Sequence, residues 1–385
     1  MKINKVQKVS INIVLLMLLT LALAVGCVDK EKTQEHATSS SALKANSNAK
    51  VDTIIDQNGK EIIIPKDINR VIMVPLPLPA LYYVVTGSCR KIAGIHPESK
   101  SNAKVSMLGV FAPELMNVAT GFVKGKDLNI EELLKLRPDI IFFWGLFPKQ
   151  AEQFESIDIP AVAVHTVKGG NALETLHLWI NILGETFDEK ERTLQLVDYN
   201  RETMKMISSR IRDIALDKKP RALLLFYHSD KQICSGKGNY SQFWLESTGA
   251  INVAESIPGI SALNMEQIYK WNPDIIYISN FSNTLPEDIL NNTVKGQDWS
   301  KVRAVKEKRV YKIPSGIYRW VPPSADASLM LKWLAQKHYP KLFNDYTIEE
   351  EIKHHYLRFY NYSLSQKQIV KILHPVHSTE RGPWT

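Results

Sequence analysis

Cysteine is nearly missing from this chain: there are three in 385 residues, Cys27 near the N-terminus and Cys89 and Cys234 in the body. That excludes a disulfide framework of the kind that staples small secreted domains. Cys89 and Cys234 fall in different predicted lobes, where a bond would clamp the two together, and both are expected as buried free thiols. Long apolar runs are missing as well. The longest, Ile13 to Val25 and broken only by Thr20, is shorter than the about 20 residues that a comfortable transmembrane span needs. There is no nucleophile elbow, no HExxH and no pair of carboxylates in a recognisable catalytic setting, so no motif argues for an enzyme. Ser235-Gly236-Lys237-Gly238 lacks the spacing of a phosphate loop. His96, His165 and His228 carry no ligand-like spacing, and the adjacent His354 and His355 point in different directions on a helix, so no metal site is expected. Charge of one sign is not concentrated either. The formal charge is +8, and without Lys2, Lys5 and Lys8 it falls to +5, 45 Lys and Arg against 40 Asp and Glu. No basic stripe accompanies it, which excludes a nucleic-acid partner.

What is present begins with those three lysines ahead of the apolar run, the layout of a secretory signal over residues 1–26. The run ends in Ala24-Val25-Gly26-Cys27, which resembles a lipobox although Ala24 stands where leucine is usual. The resemblance implies a diacylated Cys27 as mature N-terminus, and two acyl chains anchor a protein where one holds it only marginally. Residues 27–50 are polar, without apolar periodicity, and read as a flexible tether. The expected location is therefore extracytoplasmic and attached to the membrane. The remaining residues exceed what one hydrophobic core serves, so two domains are expected.

The body opens with two β-rich runs, Thr53-Ile54-Ile55 and Glu61-Ile62-Ile63-Ile64, joined through Asn58-Gly59, a hairpin signal. Strands at Val71–Val74, Ile92–Ile95, Ile140–Phe143 and Ala161–Val164 then alternate with helical stretches near 80–86, 130–136, 149–156 and 172–184. Such alternation predicts an α/β lobe around a mainly parallel sheet over residues 51–186. Residues 187–216 contain neither Gly nor Pro and place Leu194, Val197, Met204, Ile207, Ile211 and Ile214 at helical spacing, which predicts one uninterrupted helix. A second alternation follows over 217–345, with strands at Ala222–Tyr227, Ile275–Ile278 and Val310–Ile313 and a helix near 240–248. Helices are expected near 325–337, 347–360 and 365–373, the last two forming a C-terminal region at 346–373, and residues 374–385 show no periodicity and read as a disordered tail.

One segment occurs twice. Asn129-Ile130-Glu131 through Pro138-Asp139-Ile140-Ile141 matches Asn264-Met265-Glu266 through Pro273-Asp274-Ile275-Ile276, with Lys135 against Lys270. In each copy Asn caps a short helix, Glu sits in its first turn, Pro-Asp breaks it and a strand follows. With Asp56-Gln57-Asn58-Gly59-Lys60 at one end and Arg309-Val310-Tyr311-Lys312-Ile313-Pro314 at the other, the chain resembles the iron-siderophore and cobalamin class of periplasmic binding proteins that serve ABC importers. The resemblance implies two Rossmann-like α/β lobes joined by a single rigid interdomain helix, the class III architecture, and a monomer working with an ABC permease and its ATPase. It also implies that Glu131 and Glu266 dock into arginine pockets on the permease. The competing role for both is a favourable first-turn helix charge.

Ligands of open parallel sheets lie beyond the carboxyl ends of the strands. The post-strand residues are Pro77, Trp144, Phe147 and His165 in the first lobe, and Tyr227, His228, Lys237, Asn280, Tyr318, Arg319 and Trp320 in the second. Aromatic faces beside cations suit a flat or anionic metal chelate. Trp144, Tyr227, His228, Lys237, Tyr318, Arg319 and Trp320 are the predicted contacts, with no cofactor and an iron(III) chelate as ligand. Packing beneath the final helix is the competing role for Tyr318 and Trp320, and a solvated turn for Lys237. A corrinoid, haem, a nickel chelate or a molybdate-type oxyanion are the alternative ligands, a chelatase-like enzyme or a receptor without transport the alternative functions.

Overall fold

The computed structural model describes residues 52–125, 127–231, 233–237 and 240–375, and the side chain of Cys234 falls outside that description. The predicted signal, Cys27 with the whole of the predicted tether, and the tail from residue 376 likewise lie outside the described residues. Among the described residues no helix is long and apolar enough to cross a membrane.

The predicted hairpin is present. Thr53–Ile55 pairs antiparallel with Glu61–Ile63, with Ile54 opposite Ile62 and Gly59 in the left-handed conformation that its turn requires, φ 81°. Each lobe is built on a four-stranded parallel sheet. In the first the spatial order is Ile92–Ile95, Val71–Met73, Ile140–Trp144, Ala161–Val164. In the second it is Ile251–Asn252, Arg221–Leu225, Ile275–Ile278, Val310–Lys312. The two orders are the same: the first strand in sequence is central, the second lies outside it, and the chain then crosses back to add the third and fourth on the other side. The strands are buried on both faces, which explains their unbroken apolar sequences. Val71, Met73, Ile140 and Phe142 face the helices Leu78–Thr86 and Ala172–Thr186, while Ile72, Ile141 and Phe143 face Phe122, Leu133 and Phe154.

The duplicated segment does the same structural work in both lobes. Asn129 Oδ1 accepts the Glu132 amide at 3.1 Å and Asn264 Oδ1 the Gln267 amide at 2.9 Å, capping helices Ile130–Leu134 and Met265–Trp271. Asp139 Oδ2 then accepts the amides of Asn69 and Arg70 at 2.7 and 2.8 Å, and Asp274 Oδ2 that of Arg221 at 2.9 Å. Arg70 and Arg221 in turn donate to the carbonyls of Leu136 and Trp271, each at the end of its capped helix. The Pro-Asp pair thus fixes the start of the third strand against that of the first.

The interdomain helix is shorter than the sequence predicts. Ala172–Thr186 ends at Phe187, Asp188 adopts a left-handed conformation at φ 58°, and a new helix of 22 residues runs from Lys190 to Ile211, about 33 Å at 1.5 Å per residue. Aspartate tolerates that conformation better than most residues, so no glycine is needed at the break. Arg212 closes the helix, and a single 3₁₀ turn, Leu216–Lys218, leads to Pro220. One apolar cluster continues from Val71 and Met73 through Leu196 and Val197 of this helix to Leu224, Tyr277 and Trp333. The C-terminal helices Ile348–Tyr360 and Gln366–Leu373 join it through Tyr356, Phe359 and Ile369.

Candidate functional site

In each sheet the chain reverses its direction of growth between the first and third strands, and the crevice beyond their carboxyl ends is where an open α/β sheet binds ligands. In the first lobe this point opens into a cavity of about 450 Å³, its walls including Val74, Leu76, His96, Leu128, Trp144 and Phe147. Trp144 is half-buried and meets Trp179 edge-on, centroids 5.8 Å apart. The Trp179 indole donates to the His165 carbonyl at 3.0 Å, which fixes the wall from behind. His96 accepts the Glu98 amide at 3.1 Å through Nδ1 and so caps the helix Pro97–Val105.

The equivalent point in the second lobe is filled by aromatic rings and a cation. Phe226 and Phe281 follow the first and third strands and stack at 4.9 Å. Tyr227 meets both edge-on, at 5.0 and 5.9 Å. The Arg319 guanidinium lies 4.6 Å above the Phe281 ring and 6.0 Å from that of Tyr318, with only 3% of the residue exposed. It is ion-paired with no described carboxylate. Burial pushes the Tyr318 phenol above its ordinary pKa; the Arg319 charge opposes this and Glu98, from the first lobe, adds to it. Burial likewise raises Tyr240, with Tyr318 as its electrostatic neighbour. The Met107 amide donates to the Gly316 carbonyl at 3.0 Å. The lobes therefore meet where Met107 bonds to Gly316 and Glu98 lies within electrostatic reach of Tyr318.

The predicted contacts separate into two groups. Trp144, Tyr227, Tyr318 and Arg319 gather at the two switch points. His228 does not reach the crevice: its Nδ1 lies 2.8 Å from Thr284 Oγ1 and its Nε2 2.8 Å from Gln297 Oε1, and burial lowers its pKa. It ties two loops of its own lobe together. Trp320 is fully buried and donates its indole N–H to Asp326 Oδ2 at 3.1 Å, so its ring faces the core instead of a ligand. The Lys237 side chain is exposed, on a loop whose amide donates to the Ile257 carbonyl at 2.7 Å. His165 places Nδ1 3.2 Å from the Thr166 carbonyl and Nε2 3.0 Å from that of Gln57. Among the described residues no three His, Cys, Asp or Glu side chains are placed to hold a metal. Cys89 is a buried free thiol whose pKa burial raises.

Glu131 and Glu266 are both exposed, and neither is ion-paired with a described residue. Leu128, next to the first capped helix, lines the cavity at the carboxyl end of its sheet, while Leu136 at the other end meets Arg70 at the amino end. Trp271 meets Arg221 in the same way, so the helix bearing Glu266 also starts from the carboxyl side of its sheet. Each glutamate thus lies in the first turn of its helix, on the side toward the carboxyl rim of its sheet.

The sequence profile described as periplasmic binding protein matches residues 87–316, more than half of the chain. The chain belongs to the periplasmic binding protein family. A periplasmic solute binding protein from Veillonella parvula is 35% identical, with a TM-score of 0.77 over 84% of this chain and 97% of that one. The molybdate-binding protein MolA of Haemophilus influenzae is 28% identical over 80% of this chain and 91% of its own length. Its molybdate-bound structure superposes with a TM-score of 0.69, covering 81% of this chain and 99% of that one. An iron-uptake system-binding protein of Bacillus subtilis is 25% identical over 79% and 90% of the two chains.

As a periplasmic binding protein the chain is the extracytoplasmic substrate-binding component of an ABC transporter and not an enzyme. Its partners are a small ligand and a membrane permease. Phe281, Tyr240 and Glu98 lie beside Arg319 or Tyr318, although the sequence did not single them out. Phe281 stands one residue after Asn280, which the post-strand rule did find. Glu98 follows a strand in the same way, separated from Ile95 by the capping His96 and Pro97.

Proposed function

We propose that this protein captures an anionic metal chelate, with an iron(III) siderophore as the leading class, in the crevice between its lobes and delivers it to the permease. The observation that carries the reading is the pairing of a buried Arg319 on Phe281 at one switch point with an apolar 450 Å³ cavity at the other. A cation removed from water without an anionic partner is costly, and a bound carboxylate, hydroxamate or catecholate oxygen relieves that cost. The organic shell of a chelate fills the Trp144 and Phe147 cavity, which offers far more apolar surface than a bare oxyanion uses.

A molybdate-type oxyanion is the second reading. It is favoured by how little of Arg319 is exposed and by the likeness to a protein named for binding molybdate. Tryptophan fluorescence titration with ferric hydroxamates, ferric catecholates, corrinoid, haem, nickel chelates and molybdate separates the two. A ferric chelate is expected to quench, with Trp144→Phe removing most of the signal. Arg319→Gln should weaken that binding about a hundredfold, roughly 2–3 kcal/mol for an unpaired buried charge. Silence across all ferric chelates together with tight molybdate binding replaces the first reading by the second.

The Lys2, Lys5 and Lys8 leader and the lipobox-like Ala24-Val25-Gly26-Cys27 support export and a lipid anchor on Cys27. Glu131 and Glu266, exposed on matching rims, act as the docking pair for a permease driven by its ATPase, with the binding protein working as a monomer.

A further inference from the structure

We propose that Asp326 is a positioning residue for the ligand-site arginine, and that the C-terminal helix Ile348–Tyr360 holds the Arg319 segment in place through it. The inference rests on the reading of Arg319 as the ligand-facing cation.

Asp326 is fully buried. Its Oδ2 accepts the Ile317 amide at 3.0 Å and the Trp320 indole at 3.1 Å, two donors that flank Arg319 in sequence. From the C-terminal helix, Tyr356 donates to the same oxygen at 3.1 Å and Tyr360 to Oδ1 at 2.9 Å, while His355 Nε2 lies 3.4 Å from Oδ1. A buried carboxylate stripped of donors is far costlier than a satisfied one, so these bonds are held together. Both tyrosines keep their protons: burial first, then the Asp326 charge, pushes their pKa values well up. Gly316 leaves the room this needs, since a Cβ there would land on the Asp326 carboxylate and the Tyr356 hydroxyl.

The helix is itself referenced to the rest of the molecule. Tyr360 stacks on Phe111 of the first lobe at 5.4 Å, and Arg192 of the interdomain helix donates to the Phe359 carbonyl at 2.9 Å. The C-terminal region therefore fixes Arg319 relative to both lobes through one carboxylate.

Two readouts on the full chain test this. In the first, phenylglyoxal modification of each arginine is followed by peptide mass mapping in Tyr360→Phe, which removes one hydroxyl and keeps the ring, and in Asp326→Asn. Arg319 should react at least fivefold faster in both, with Arg309 unchanged. Equal protection of Arg319 in parent and variants overturns the proposal, and so does a rise at all arginines together, which would make Asp326 a support for the whole lobe.

In the second, affinities for ferrioxamine B and molybdate are measured with and without Arg319→Gln. Asp326→Asn should weaken binding at least tenfold in the parent and add nothing in the Arg319→Gln background. The same loss in both backgrounds overturns the proposal. If Arg319→Gln alone leaves both affinities unchanged, the ligand reading fails, and the labelling result still decides whether Asp326 positions Arg319.

Discussion

In both lobes an Asn-capped helix ends against an arginine at the start of the first strand, and a Pro-Asp pair locks the third strand beside it. Past the carboxyl ends the likeness stops. The first lobe offers an apolar cavity walled by Trp144 and Phe147, whereas the second presents Arg319 over a stack of phenylalanines. Repetition therefore marks what each lobe needs in order to fold and, on the proposed docking, to meet a common partner. On the function proposed above, divergence marks what each contributes to a ligand, since a chelate with an apolar shell and an anionic core needs one wall of each kind. Three perturbations probe this contrast.

The largest effect is expected where the lobes are most alike. Reversing both rim charges, Glu131→Arg with Glu266→Arg, should cut cellular uptake of radioactive iron chelate or molybdate more than tenfold. Ligand affinity and thermal midpoint should stay within error, since both side chains are exposed and lie outside the crevice walls. Uptake at the parental rate in the double variant would return both glutamates to the status of ordinary helix-start charges.

The scaffold copies can be compared directly through Asp139→Ala and Asp274→Ala. Asp139 loses two backbone amides. Asp274 loses one amide and the Arg303 guanidinium at 2.8 Å. Each should cost about 1–2 kcal/mol. The sites share no partner, so the double variant should lose roughly the sum. Urea midpoints at constant m-value measure this, and an unmoved midpoint for either variant would show that its copy of the clamp is not needed.

How far the sequence reveals this molecule depends on whether a feature is carried by local pattern. The strands announce themselves as short apolar runs, the hairpin as Asn58-Gly59, and the two capped helices as Asn-x-Glu followed by Pro-Asp. The helix Pro97–Val105 does not, because the side it buries carries Glu98, Ser99 and Asn102, with Ser99 donating to the Leu76 carbonyl at 3.0 Å. Periodicity has no apolar stripe to detect there. Arg319 is legible as a post-strand cation among aromatics. That Trp320 turns inward is not, because its partner Asp326 is chosen by tertiary packing, and His228 finds Thr284 and Gln297 only through the fold. The break at Asp188 is hidden for a related reason: an aspartate in a left-handed conformation leaves no Gly or Pro to read.

A third perturbation separates the lobes by their buried bases. Burial lowers the His338 pKa from its ordinary 6.5 to about 4, opposed in part by the Thr248 carbonyl 3.0 Å from its Nδ1. The folded lobe holds this ring neutral, so its contribution is complete above pH 6.5 and is lost as the pH falls toward 4, where the unfolded chain binds a proton that the folded one does not. Lys312, which donates to the carbonyls of Ser282 and Thr284, is lowered by burial from 10.5 to about 7, against a smaller opposing pull from Asp288. The same imbalance then makes stability rise with pH between those two values. His177 gives the first lobe one group lowered to about 4, but among its described residues that lobe has no counterpart of Lys312. Each slope is at most about 1.4 kcal/mol per pH unit. In urea titrations His338→Gln should flatten the acid limb and Lys312→Met the alkaline one. A slope between pH 7 and 9 that survives Lys312→Met would mean that this lysine keeps its proton in the fold, and that the loop carrying Phe281 is held by an ammonium.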